Sequence, residues 1–245
     1  MSSARSREAR RANRQPSCYI TVNDLLSHEV ESLKHMATVP WPSELSSWRA
    51  TLNNAAQSAS TQGGLNLHLW FEAPAPRAAR NAPFHCIELG AQIVPSQGSL
   101  VTYFFAIGQT RAGQRSGLRK IDFDMDFSSQ TQEPKPAMHS QISGRMPPSL
   151  RKRYDPPGFD NMVPSMDKPR IACLPKSFAL LAHLAFLEYQ STHAGISNLV
   201  SDPKWLSVVK AAEQRILKPH FDYCAGWMQR GTHSLLSHFY NSPHS

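Results

Sequence analysis

Residues 120–127 read Lys-Ile-Asp-Phe-Asp-Met-Asp-Phe, an alternation that fixes how this part of the chain can fold. A β-strand turns successive side chains to opposite faces. Asp122, Asp124 and Asp126 therefore line one face, and Ile121, Phe123, Met125 and Phe127 line the other. The apolar row needs a cover. The acidic row repels itself unless water, a cation or a basic partner compensates it.

The segments before this run carry the same period. Leu65, Leu67, Leu69 and Phe71 alternate with Asn66 and His68, and Ile87, Leu89, Ala91 and Ile93 alternate with Glu88 and Gln92. Residues 100–107 are apolar on both faces, as an inner strand would be. The connections are Pro-rich between the first two strands, tight at Pro95-Ser-Gln-Gly98 and Gly-rich at 108–117, the spacing of an antiparallel meander. A fifth short strand is expected around 138–142.

Helical patterns flank these strands. Thr21-Val-Asn-Asp24 opens the first, with Asn23 or Asp24 expected as its cap and Leu25, Leu26, Val30 and Leu33 on one side. Pro40-Trp-Pro42 stops it. Ser43 is expected to cap a second helix to about Ala59, ended by Gly63-Gly64. Residues 176–190 carry Phe178, Leu181, Leu184 and Leu187, and a further helical region runs from about Pro203 to Tyr240, divided at Pro219 and Gly231.

The expected fold is α+β: an antiparallel meander of four to five strands, flanked by two N-terminal helices and a C-terminal helical region. Residues 1–16 read as a disordered basic tail. Residues 17–245 read as one domain, with helices in 22–59, the sheet in 64–144, a Pro-rich loop in 145–175 and a helical cap in 176–241.

With 245 residues, 40% hydrophobic, the chain can bury a substantial core. No apolar run approaches the roughly 18 residues of a membrane span. The basic start lacks the apolar stretch of an export signal, so a cytoplasmic protein without membrane attachment is expected. Cys18, Cys86, Cys173 and Cys224 are scattered, with no Cys-x-x-Cys pair, which excludes an evident zinc ribbon or redox motif.

The net charge of +8 is uneven. Five arginines crowd the first 14 residues, and two further groups lie at Arg111, Arg115, Arg119 and Lys120 and at Arg145, Arg151, Lys152 and Arg153. Basic clusters of this kind neutralise phosphates, which makes nucleic acid one candidate partner. The plainer reading of the tail is a solvated segment that keeps the chain soluble. No helix-turn-helix, RNA-recognition signature or zinc finger accompanies these clusters.

If the strands pair as a meander, Asn66, His68, Glu88, Asp122, Asp124 and Asp126 share a face, and His139 can join them from the fifth strand. Carboxylates with imidazole suit a hard divalent cation able to activate water against a phosphodiester. On this reading Asp122, Asp124 and His68 are metal ligands, and His139 and Asp124 are the catalytic pair. Arg111, Arg115, Arg119, Arg151, Lys152 and Arg153 hold the nucleic-acid backbone. The plainer alternative is a solvent-exposed polar sheet face. His183, set among apolar helix residues, reads as a hydrogen-bonded packing histidine. No nucleophile elbow, phosphate-binding glycine loop or dinucleotide fingerprint is present.

Lys120-x-Asp-Phe-Asp, Pro136-x-x-His139-x-Gln141-Ile and Pro169-Arg-Ile-x-x-Leu-Pro175-Lys-Ser-Phe occur in that order over about 70 residues. The series resembles a loose set of uncharacterised small bacterial proteins, some encoded at toxin–antitoxin or phage-defence loci. In that set a second histidine stands where this chain has Gln141, which weakens the transfer of any metal or catalytic role. The resemblance implies a component of a defence or toxin–antitoxin-type system, working through a protein partner or nucleic acid. The element order also resembles a ubiquitin-conjugating fold, with Cys173 near that family's active cysteine, but its His-Pro-Asn tripeptide is missing.

Overall fold

The computed structural model describes residues 20–74, 84–95, 100–111, 114–126, 138–142 and 176–230. The basic tail, the Pro-rich segment with Arg151, Lys152 and Arg153, Cys18, Cys173 and the chain after 230 lie outside them.

Helix α1 (Val22–Ala37) begins one turn earlier than its most acidic residues suggest. Its cap is Thr21, whose hydroxyl oxygen accepts the Asp24 N–H at 3.1 Å, in place of the expected Asn23 or Asp24. Asp24 instead sits in the first turn, where its carboxylate faces the positive end of the helix dipole and takes the Thr21 hydroxyl at 2.6 Å. Leu25, Val30, Leu33 and Met36 form the buried stripe, and the Trp41 indole ties off the end by donating to the Met36 carbonyl at 3.0 Å. A single 3-10 turn (Ser43–Leu45) then precedes α2 (Ser47–Gln62). Ser43 therefore starts the turn and does not cap the helix. Gly63 closes α2 at φ 68°, the left-handed conformation that a glycine enters without a Cβ clash.

Five strands follow in an unbroken antiparallel meander: β1 (Leu65–Pro74), β2 (Phe84–Val94), β3 (Leu100–Arg111), β4 (Gln114–Asp126) and β5 (Met138–Ile142). The register pairs Leu67 with Ala91, Ala91 with Tyr103 and Tyr103 with Phe123, so one face is apolar across the first four strands. The helices cover this inner face.

Helix α3 (Phe178–Tyr189), capped by the Ser177 hydroxyl, is buried on nearly all sides because it lies between β2 and β3 and the remaining helices. Beyond it come α4 (Ala194–Val200) and α5 (Pro203–Ala212), the latter capped by Asp202 with Pro203 in its first turn. Rings of Trp41, Trp48, Phe71, Phe186 and Trp205 interlock between the layers, with centroids 5.2–6.2 Å apart. As expected, His183 is a packing residue: its Nδ1 accepts the Trp205 indole N–H at 3.1 Å, and burial lowers its pKa.

Pro219 acts before its own position. It has no N–H to offer the carbonyl four residues back, and its ring crowds that carbonyl. The chain answers with a π-helical turn at Glu213–Leu217, in which the Lys218 N–H reaches the Glu213 carbonyl, and α6 (Lys218–Arg230) then resumes. None of the described helices is long and apolar enough to cross a membrane.

Candidate functional site on the outer sheet face

The strand register assembles the outer face in rows. Asn66, Gln92, Thr102, Asp124 and His139 form one, and His68, Gly90, Phe104, Asp122 and Gln141 form the next. Trp70, Glu88, Ala106 and Lys120 form a third. Asn66, His68, Glu88, Asp122 and Asp124 thus share one face, as the alternation requires, and the backbone of His139 lies beside that of Asp124.

Asn66, Trp70 and Gln92 on this face are exposed, but its centre is not an open polar surface. Glu88 is 0% exposed and Asp122 4%, beside Cys86, Phe104 and Ala106, which are also buried. Two carboxylates held away from water at the middle of a sheet each need specific compensation, since burying an unpaired charge is costly.

For Glu88 much of that compensation is visible. Its Oε2 lies 2.5 Å from His68 Nε2, and its Oε1 accepts the Cys86 thiol at 3.6 Å. His68 and Glu88 are diagonal neighbours on adjacent strands, a span that two long side chains can close. This contact fixes the plane of the His68 ring and leaves Nδ1 as its other polar atom. The His68 side chain is 20% exposed and rests against the Phe104 ring, with centroids 5.7 Å apart. A partly exposed imidazole oriented by a fully buried carboxylate has the form of an acid–base pair.

Asp124 is held differently. It accepts the hydroxyl of its cross-strand partner Thr102 at 2.7 Å, and on its other side its backbone pairs directly with His139. The expected catalytic pair, Asp124 and His139, thus occupies opposed positions on neighbouring strands.

The expected metal set is not brought together in the same way. His68 on β1 and Asp122 on β4 are three strand spacings apart, about 14 Å across the sheet. The space between them is taken by Phe104, whose ring lies over Gly90: a Cβ built there would meet Phe104 Cε1 at 1.9 Å. His68 is bound to Glu88 and is too far from Asp122 and Asp124 to share a cation with them. Among the described residues, no group of three or more His, Cys, Asp or Glu side chains gathers as a metal site.

The basic residues fall at one end of the sheet. Arg111 ends β3, while Arg115 and Arg119 lie in the first half of β4, opposite Thr110 and Ile107. Strand β5 pairs with β4 only from Ile121 to Met125. Residues 114–120 are therefore paired on one side alone among the described residues.

Sequence reasoning missed Cys86, Thr102 and Phe104 as members of this face. The signal for Thr102 and Phe104 was the doubly apolar third strand: a central strand with Phe and Ala facing outward closes that face against water. Comparison of the chain with models of protein families, with curated proteins and with solved structures finds no match.

Proposed function

We propose that this protein is a component of a bacterial defence or toxin–antitoxin-type system that acts by binding nucleic acid. The observation that carries the reading is the spacing of Arg111, Arg115, Arg119 and Lys120 along the turn-proximal half of the β3–β4 hairpin, where β4 runs past β5. Cations on a strand that is paired on one side alone among the described residues, as 114–120 are, oppose sheet-to-sheet association, and they also suit a phosphate backbone. The order of short motifs along residues 120–178 supports the genomic setting.

The test is fluorescence anisotropy with a labelled oligonucleotide across a salt series. Each phosphate contact contributes about 0.9 to the slope of log affinity against log salt. Changing Arg111, Arg115 and Arg119 together to Ala is expected to flatten that slope by roughly 2–3 and to weaken all sequences alike. Absence of binding, or binding indifferent to ionic strength, removes the nucleic-acid reading. Failure to co-purify with any product of the native operon removes the two-component setting.

A second reading is a metal-dependent phosphodiesterase, favoured by the backbone pairing of Asp124 with His139. It requires Mg2+- or Mn2+-dependent cleavage that Asp124→Asn abolishes while His68→Ala leaves it in place. Cleavage that is absent, or unaffected by Asp124→Asn, rejects it.

A further inference from the structure

Away from the outer face, one acidic side chain is built into the core. Glu29 lies on the buried stripe of α1, 1% exposed, with its carboxylate between the helical layer and the sheet. Its Oε1 accepts the Tyr103 hydroxyl from β3 at 2.9 Å and the Phe178 N–H, the first of α3, at 3.1 Å. One oxygen atom thus joins α1, β3 and the start of α3. Among the described residues, its other oxygen, Oε2, has no hydrogen-bond partner, and neither does the Oγ of Ser32, nearly one turn further along α1.

Both residues line a small cavity between α1, Ser177 at the start of α3, α5 and the π-helical turn. Two orphaned oxygens and room for about one water provide what a buried proton needs in order to exchange with solvent. The charged and titratable groups around the cavity are His28 and His35 of α1 and Arg215 of the π turn. Arg215 is also engaged at the surface, 3.7 Å from Glu31. Tyr103 is the titratable group that faces Glu29 from the sheet.

We propose that Glu29 is a proton-binding latch: protonated, it locks α1 to β3 and α3, and loss of its proton into the cavity loosens the seating of the helices on the sheet. In the protonated form Oε1 keeps both incoming hydrogen bonds, and Oε2–H becomes a donor toward the cavity. In the ionised form a full charge sits in the core, where the described residues offer it the Tyr103 hydroxyl and the Phe178 N–H as hydrogen-bond donors. Burial pushes the Glu29 pKa up to about 7, against the smaller lowering effects of Tyr103 and the Phe178 N–H. The folded protein therefore holds this proton more tightly than the unfolded chain. Stability from this group is fully present below the ordinary carboxyl value of 4.5 and is lost as pH rises through about 7.

Two measurements on the full chain test the latch. In denaturant titrations from pH 5 to pH 8, the wild-type unfolding constant is expected to rise by about one to two orders of magnitude more than that of Glu29→Gln, which keeps the acceptor and cannot ionise. Infrared difference spectra should show a protonated-carboxyl band in the wild type that titrates near neutrality and is missing in Glu29→Gln. Tyr103→Phe removes a hydrogen bond that favours the charged form, so the same band should titrate at higher pH. This milder variant serves even if Glu29→Gln does not fold. A band that vanishes by pH 5, equal pH slopes in wild type and Glu29→Gln, or no shift in Tyr103→Phe overturns the proposal.

Discussion

Replacing Gly90 by alanine tests the packing that decides what the outer face can be. The added methyl would sit 1.9 Å from Phe104 Cε1 and 2.3 Å from Cζ. Carbon atoms rest about 3.5–4.0 Å apart, so the ring would have to retreat by roughly 1.5–2 Å. Phe104 has little room to do so, being only 8% exposed and in ring contact with His68. Overpacking of this size costs about 1–3 kcal/mol. For a chain of this length that corresponds to a fall in Tm of roughly 3–10 °C, read by circular dichroism or calorimetry. Phe104→Ala alone opens a cavity and should cost about 3 kcal/mol. In the double variant the new methyl occupies part of that cavity, so the two changes should be less damaging than their sum by about 1–3 kcal/mol. A Gly90→Ala protein that melts with the wild type, or a double variant that is simply additive, refutes the placement of the ring. It would also reopen the space between His68 and Asp122.

Two further outcomes follow from the geometry. His68→Ala removes the 2.5 Å imidazole partner of the fully buried Glu88 and should destabilise the fold by about 1–3 kcal/mol, and Glu88→Gln introduced alongside it should recover part of that loss in chemical denaturation, since an amide costs less to bury than a charge. Trp205→Phe keeps most of the ring packing but leaves His183 Nδ1 without its indole donor; it should cost about 1–2 kcal/mol, and Trp205→Ala about 3–5 kcal/mol, by the same measurement.

The limits of the sequence reading follow from range. Alternation within 65–71, 87–93 and 120–127 is set by neighbours one and two residues apart, so the strands and the division of their faces were legible. The helix stop at Pro40-Trp-Pro42 and the left-handed cap at Gly63 were legible for the same reason. Thr21 was not recognised as the cap because Asn23 and Asp24 offered equally good cap chemistry two and three residues later. The π turn was missed because Pro219 was read as a break at its own position, whereas its missing N–H is felt one turn upstream.

The chain's own pattern determined a meander with an acidic row on one face and helices on the other. Only the tertiary structure decided what that row is worth. Cross-sheet distance keeps His68 from Asp122, and a phenyl ring lying over Gly90 fills the interval. Glu88 gains its place in the interior from a histidine 20 residues away in sequence. Glu29, which looks like any polar residue on an amphipathic helix, is buried by partners 74 and 149 residues downstream. Periodicity records which side of an element a residue occupies. Whether a charge there meets water, a partner or a cavity depends on contacts between elements far apart in the chain, and those leave no local mark.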